Sequence, residues 1–259
     1  MITSHEIRAT KGLRRLAMLT AYDYPTALAL DQAGLDMILV GDSVAMVELG
    51  FPTTRDATLA MMAHHVHAVR TGAVNTHVVG DLPVGSYDTS EQAVASSRVL
   101  VAAGADSVKL EGPCLAEVQA IIAAGIPVVG HVGLLPQTAT VFHKEGTTPD
   151  DADRIAREAE ELQNAGCFAL VIEAVPAELA TRITTSLEIP TIGIAAGVET
   201  DGQVLVSTDL LGQLPFTPPF VVPKANVFDI VTRAAREFAD DVRIGAIVGV
   251  SSEDWPTLT

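Results

Sequence analysis

The sequence predicts an α/β protein: one domain over residues 1–259, folded as a (β/α)8 barrel of the TIM type. Three observations carry this. Short β-branched runs alternate with helix-period segments along the chain, as in a parallel sheet with crossover helices. The runs are apolar throughout, as strands covered on both faces are. About eight of them in 259 residues match the strand number and length of a closed parallel barrel. A doubly wound open sheet is the competing arrangement. No G-x-G-x-x-G follows the first run, which weakens the dinucleotide-binding version of it.

The runs, in order, are Leu16–Tyr22, Met37–Val40, Thr76–Gly80, Ser107–Leu110, Pro127–Gly130, Phe168–Ile172, Thr191–Ile194 and a weaker Gln203–Val206. Helix-period segments between them include Ala57–Val69, Ser90–Ala103, Leu115–Ala124, Pro149–Ala165 and Ala177–Leu187. Start signals are Thr89-Ser90 ahead of Glu91, and Pro149 ahead of the acidic turn Asp150-Asp151. Gly104, Gly125 and Gly166 close three of the helices. The loop 141–148 and the proline-rich stretch 215–223 are the irregular parts.

A net charge of −16 repels phosphate backbones and anionic membranes, and 4% aromatic residues leave few rings to stack bases. No nucleic-acid or membrane partner is expected. Lysine is confined to Lys11, Lys109, Lys144 and Lys224. Such a surface suits a salt-adapted protein and equally an ordinary acidic one. Cys114 and Cys167 lie in apolar text with no metal-ligand spacing, so two buried free thiols are expected. The first residues lack an apolar signal core, and no apolar run has the length of a membrane span, so the expected location is the cytoplasm.

In a parallel barrel the active site lies at the C-terminal ends of the strands. Tyr22-Asp23 ends the first run, Asp42-Ser43 the second, Asp81 the third, Lys109 then Glu111 the fourth, His131 the fifth and Glu173 the sixth. One polar strand end is an ordinary turn residue. So many on one mouth need compensation, because unpaired like charges repel. An acidic cluster with one lysine and one histidine suggests a hard divalent cation, Mg2+. Simpler roles stay open for each residue: turn caps for Asp42 and Asp81, a mutual ion pair for Lys109 and Glu111, a buried structural carboxylate for Glu173, a core histidine for His131, a helix cap for Ser43. The cluster His64-His65-x-His67 sits in helix-period text away from any strand end and reads as a surface or interface face.

The stretches "MLTAYDYPTA", "ILVGDSVAM", "VVGDLPVGSY", "SVKLEG", "PVVGHVGLLPQ", "ALVIEAVPAELA", "PTIGIAAG" and "TDGQVLV" occur in this order over residues 17–206. In combination they are specific. The sequence resembles the ketopantoate (3-methyl-2-oxobutanoate) hydroxymethyltransferase family, among the phosphoenolpyruvate mutase/isocitrate lyase-like barrels. The resemblance implies transfer of a one-carbon unit from 5,10-methylenetetrahydrofolate to the α-keto acid α-ketoisovalerate, for pantothenate synthesis. It implies Mg2+ on Asp42 and Asp81, with Glu111 holding a metal-bound water. Ser43 would seat the substrate carboxylate, Lys109 and His131 would surround the keto acid, and Glu173 would be the catalytic base. Asp23 and Tyr22 belong to a family motif without a definite role. Family members form large homo-oligomers, commonly decamers.

Three departures are visible. The glycine-rich loop expected after His131 is shorter, lacks a double glycine and carries His143, Lys144 and Glu145, which bears on folate binding and lid closure. Ala195 stands in a glycine position. The terminal "VGVSSEDWPTLT" replaces the family's own ending. The competing functions are another Mg2+-dependent enzyme making or breaking a C–C or C–P bond of a different α-keto acid, and a non-catalytic homologue. The retained Asp42, Asp81, Lys109 and Glu173 oppose the latter.

Overall fold

The computed structural model describes residues 2–246; the "VGVSSEDWPTLT" departure lies outside them. A short helix, α1 (Ser4–Arg8), opens on a reciprocal capping box between Thr3 and Glu6. There follow β1 (Leu16–Thr20), α2 (Tyr24–Gln32), β2 (Met37–Val40), α3 (Val44–Val47), a 3-10 turn (Thr54–Asp56), α4 (Leu59–Gly72), β3 (His77–Asp81) and α5 (Ser90–Ala103). The chain continues through β4 (Ser107–Lys109), α6 (Leu115–Ala123), β5 (Val128–Gly133), α7 (Pro149–Ala165), β6 (Ala169–Glu173), α8 (Ala177–Ser186), β7 (Thr191–Ile194) and β8 (Gly202–Leu205). All neighbours pair in parallel and β8 returns to β1, so the eight strands close into the expected barrel.

Local chemistry sets most boundaries. Thr58, Thr89 and Thr148 each accept a bond from the backbone three residues on and start α4, α5 and α7. Gly104 and Gly166 end α5 and α7 in the left-handed conformation. The first run predicted a strand to Tyr22; the strand ends at Thr20, because Asp23 caps α2 through Thr26. That short helix was not singled out in the sequence.

The pleat divides the side chains into two layers. Met18, Met37, Leu39, Val79, Val129, Val171, Ile192 and Val204 fill the barrel interior. Ile38, Val40, Val78, Val108, Leu170 and Ile172 point outward and pack beneath helix residues such as Val66, Leu100, Ile121 and Ile155. Cys167 is buried and Cys114 only half-buried, and both are free thiols. His65 Nδ1 donates to the Tyr22 carbonyl at 2.7 Å, a structural contact on α4.

A second compact unit begins at Thr208, within the short helix α9 (Ser207–Leu210). It contains α10 (Val227–Ile244), whose apolar residues recur at Phe228, Val231, Phe238 and Val242 and whose start is capped by Asn226. The sequence reading assigned no element there. Among the described residues no helix is long and apolar enough to cross a membrane.

At the closing seam, Asp201 accepts bonds from Lys11 at 2.7 Å and from the Thr191 amide and hydroxyl at 2.9 and 3.0 Å. Burial opposes its ionisation, but these donors outweigh burial and hold its carboxyl below the usual range. A group whose folded value is depressed contributes stability above its unfolded value and loses it as pH falls. We expect Asp201→Asn to lower stability by about 1–3 kcal/mol at pH 7. The difference from the unsubstituted protein should shrink as pH drops below the ordinary aspartate value of 3.8. Thermal melts across pH 3–7 check both; a constant difference would separate the effect from ionisation.

Candidate active site

The inner parity of the strands decides which side chains meet at the mouth. In β3, His77, Val79 and Asp81 face inward; in β4, Ser107 and Lys109; in β5, Val129 and His131; in β6, Ala169, Val171 and Glu173. Asp81 and Lys109 are also register partners, so their side chains leave adjacent strands at one level. Asp42 and Ser43 come from the turn after β2, and Glu111 from the turn after β4.

The structure brings all seven predicted residues to this end of the barrel. Lys109 Nζ lies 2.8 Å from Asp81 Oδ1, with both side chains at most 5% exposed. The Asp42 amide donates to Asp81 Oδ2 at 3.4 Å. His131 stands between two carboxylates, with Nε2 3.3 Å from Glu173 and Nδ1 3.8 Å from Glu111. Neither ring nitrogen makes an aligned hydrogen bond with a described residue. Ser43 begins α3, but its hydroxyl caps nothing there; it sits 2.8 Å from the Tyr22 hydroxyl. Gly133, at φ +96°, lets β5 and β6 converge. A Cβ on it would lie 2.2 Å from the Glu173 carbonyl, which instead accepts a 2.9 Å bond from the Leu134 amide.

Burial and like charge dominate the titration of the cluster. Desolvation and the neighbouring Asp81 push Asp42 well above the usual carboxylate range. Desolvation lifts Glu111 to about 8 against the pull of Lys109, and Glu173 to about 7 against the same pull. Burial disfavours charge on Lys109, but Asp81, Glu111 and Asp42 outweigh it and keep the ammonium protonated. His131 is pushed well below its usual value, first by burial and then by Lys109, so its imidazole is neutral at pH 7.

Asp42 and Asp81 are buried carboxylates close enough to repel, and a hard cation between them would relieve that repulsion. Among the described residues no three His, Cys, Asp or Glu side chains form a ready cation cage. Mg2+ can be held by one or two carboxylates with substrate oxygens and water in its other positions, and Asp42 and Asp81 are the carboxylates available for that here.

The sequence reading gave Gln137 no role, yet it braces the cluster. Its amide nitrogen side chain donates to Asp42 Oδ2 at 2.8 Å and to the Leu82 carbonyl at 2.9 Å. Its backbone amide donates to Glu111 Oε2 at 3.0 Å, and its side-chain oxygen accepts from the Tyr87 hydroxyl. A buried-looking glutamine at the end of "GLLPQ" was the available signal. The substituted loop folds back on the site: His143 pairs with Glu145 at 3.2 Å, and the Glu145 amide donates to the carbonyl of Ala174, next to Glu173. Ala174 and Ala195 are both left-handed, at φ 49° and 51°, where β6 and β7 end.

The family described as ketopantoate hydroxymethyltransferase matches residues 1–247. Over 252 residues the chain is 48% identical to the 3-methyl-2-oxobutanoate hydroxymethyltransferase of Oleidesulfovibrio alaskensis, covering 94% of this chain and 87% of that protein. It is 49% identical over 252 residues to that of Rippkaea orientalis, covering 95% and 98%. Among solved structures, phosphoenolpyruvate phosphomutase from Streptomyces platensis subsp. rosaceus superposes with a TM-score of 0.66 at 15% identity, over 94% of this chain and 88% of that one. Phosphonopyruvate hydrolase in complex with oxalate and Mg2+ does so with a TM-score of 0.65 at 15% identity, over 99% and 93%. At these identities the structural likeness speaks to the fold alone.

Gln137→Leu keeps the volume and strands Asp42 Oδ2, the Leu82 carbonyl and the Tyr87 hydroxyl without a protein donor or acceptor. We expect a loss of roughly 2–4 kcal/mol, since each buried polar group left unpaired costs about 1–3 kcal/mol and some will recruit water. Tyr87→Phe, which removes one of these bonds, should cost about 1 kcal/mol. Denaturant unfolding of both variants measures this, and equal stabilities would contradict the bracing role.

Proposed function

We propose a division of labour at this mouth, starting from the fact that the chain belongs to the ketopantoate hydroxymethyltransferase family. Its activity is the hydroxymethylation of 3-methyl-2-oxobutanoate to ketopantoate. The new carbon is bonded at C3, so a group must first remove the C3 proton. Glu173 is assigned that work. The observation that carries the assignment is an inward carboxylate, buried at the strand end and raised to about 7, which is ionised in part at neutral pH and basic enough to accept a carbon-bound proton.

Asp42 and Asp81 would hold Mg2+, with Glu111 beside them. Bound there, Mg2+ supplies positive charge against the keto acid's oxygens and so lowers the cost of the enolate. Lys109 adds a fixed positive charge for the substrate carboxylate or the developing oxyanion. The Ser43 hydroxyl, oriented by Tyr22, helps seat that carboxylate. His131 stays neutral and offers its free ring nitrogens to Glu173 and the bound acid. The assigned donor is 5,10-methylenetetrahydrofolate: the bond from C3 to its methylene carbon forms, both C–N bonds of that carbon break, water supplies the hydroxyl group, and the C3 proton and the second water proton end on the two carrier nitrogens as tetrahydrofolate leaves.

Exchange of the C3 proton into heavy water tests the base without the one-carbon donor. Glu173→Gln keeps shape and loses basicity, and exchange should fall roughly 10²–10⁴-fold while keto acid still binds. In the unsubstituted enzyme exchange should rise from pH 6 to 8, as Glu173 deprotonates through about 7, and then level off. Exchange by the variant within a few-fold of the unsubstituted enzyme would move the role to His131.

A further inference from the structure

One strand end at this mouth breaks the polar series. Taken around the barrel from β3, the last inward side chains are Asp81, Lys109, His131, Glu173 and then Ile194. Ile194 lies on the same pleat face as Ile192 and packs against the interior layer. It is the register partner of Glu173, so its side chain leaves the neighbouring strand at the level of the assigned base. Farther round, β8 contributes Val204 and β1 contributes Met18 and Thr20, whose hydroxyl is taken by the Ser207 amide at 2.9 Å. The charged inward side chains thus fall on β3–β6, and the side formed by β7, β8 and β1 has none.

Two features separate Ile194 from a core residue. Ile192, one pleat lower, is fully buried, whereas Ile194 keeps part of its surface open. Apolar surface left open beside charged groups is stabilised when an alkyl group covers it. The backbone also holds Ile194 against the base. Its carbonyl accepts a 2.9 Å bond from the amide of Ala174, the residue after Glu173. A β-branched side chain has few rotamers, so the surface it offers is stiff.

We propose that Ile194 sets which 2-oxo acid this enzyme deprotonates. The inference rests on the keto-acid reading above and deepens it. An acid whose oxygens turn to Lys109, Asp42 and Asp81, and whose C3 meets Glu173, must place its C3 branches beside Glu173. Ile194 is the apolar neighbour there. It covers two methyl branches and obstructs a longer one.

The test follows exchange of the C3 proton into heavy water, with Mg2+ and without a one-carbon donor. The acids are 2-oxobutanoate, 3-methyl-2-oxobutanoate and 3-methyl-2-oxopentanoate, which form a series in single methylene steps. Ile194→Ala should raise kcat/KM for the longest acid relative to 3-methyl-2-oxobutanoate by about tenfold or more, the worth of one methylene in an apolar pocket. Ile194→Val, which keeps the β-branch and so disturbs the fold least, should move that ratio in the same direction by less. The ratio for 2-oxobutanoate should not rise, because a smaller acid gains nothing from added space. Variants that slow all three acids by one common factor would reduce Ile194 to a packing residue and leave the keto-acid reading intact. An unsubstituted enzyme that exchanges the C3 proton of none of them would overturn both.

Discussion

The Lys109 ammonium and the Asp81 carboxylate meet at 2.8 Å with almost no solvent contact, and three more carboxylates, Asp42, Glu111 and Glu173, gather around that pair. Removing one such ion from water costs several kcal/mol, and an uncompensated cluster would not stay charged or folded together. The buried cation limits that cost. It holds down Glu111 and Glu173, which burial alone would drive higher, and it adds to the burial that already keeps His131 neutral. Without Lys109, burial would raise Glu111 and Glu173 further and leave less of each ionised.

The barrel delivers these groups by geometry alone. Eight parallel strands share one pleat, so every second residue faces inward. Lower inward positions hold Met18, Met37, Val79 and Val129, which close the interior. Above them, Asp81 of β3, Lys109 of β4, His131 of β5 and Glu173 of β6 are the inward side chains at the mouth. The opposite end does different work. Asp201 with Lys11 and Thr191, and Asp31 with Asn75 and Thr76, tie strand starts to neighbouring loops. The candidate site and these aspartate ties therefore occupy separate ends of one sheet.

This separation explains what could be read in advance. The strands and the inward strand-end residues follow from local pattern, since apolar runs and period two need no knowledge of the partner strand. Helices α5 and α7 are legible to the residue because a threonine cap and a left-handed glycine bracket each of them. Gln137 is different: its value depends on loops after β2, β3, β4 and β5 converging, and no spacing in the sequence encodes that convergence. The Ser43 hydroxyl has the same history. By local rules it could cap α3, yet Tyr22 from another strand end takes it. The helix α10 carries its apolar residues at helical spacing but sits beyond the proline-rich stretch, where the strand–helix alternation no longer guides the eye.

Ala174 and Ala195 adopt left-handed backbone at the ends of adjacent strands, a conformation that costs a non-glycine residue about 1 kcal/mol or more. The Ala174 amide is tied to the Ile194 carbonyl at 2.9 Å, so the two kinks share one hydrogen-bonded corner directly behind Glu173. Glycine would remove the strain at either position, and it would also free the corner to sample other shapes. The chain thus keeps a strained corner next to Glu173. For protein engineering this corner is a poor place to seek thermostability, because added backbone freedom there would reach the strand end that carries Glu173.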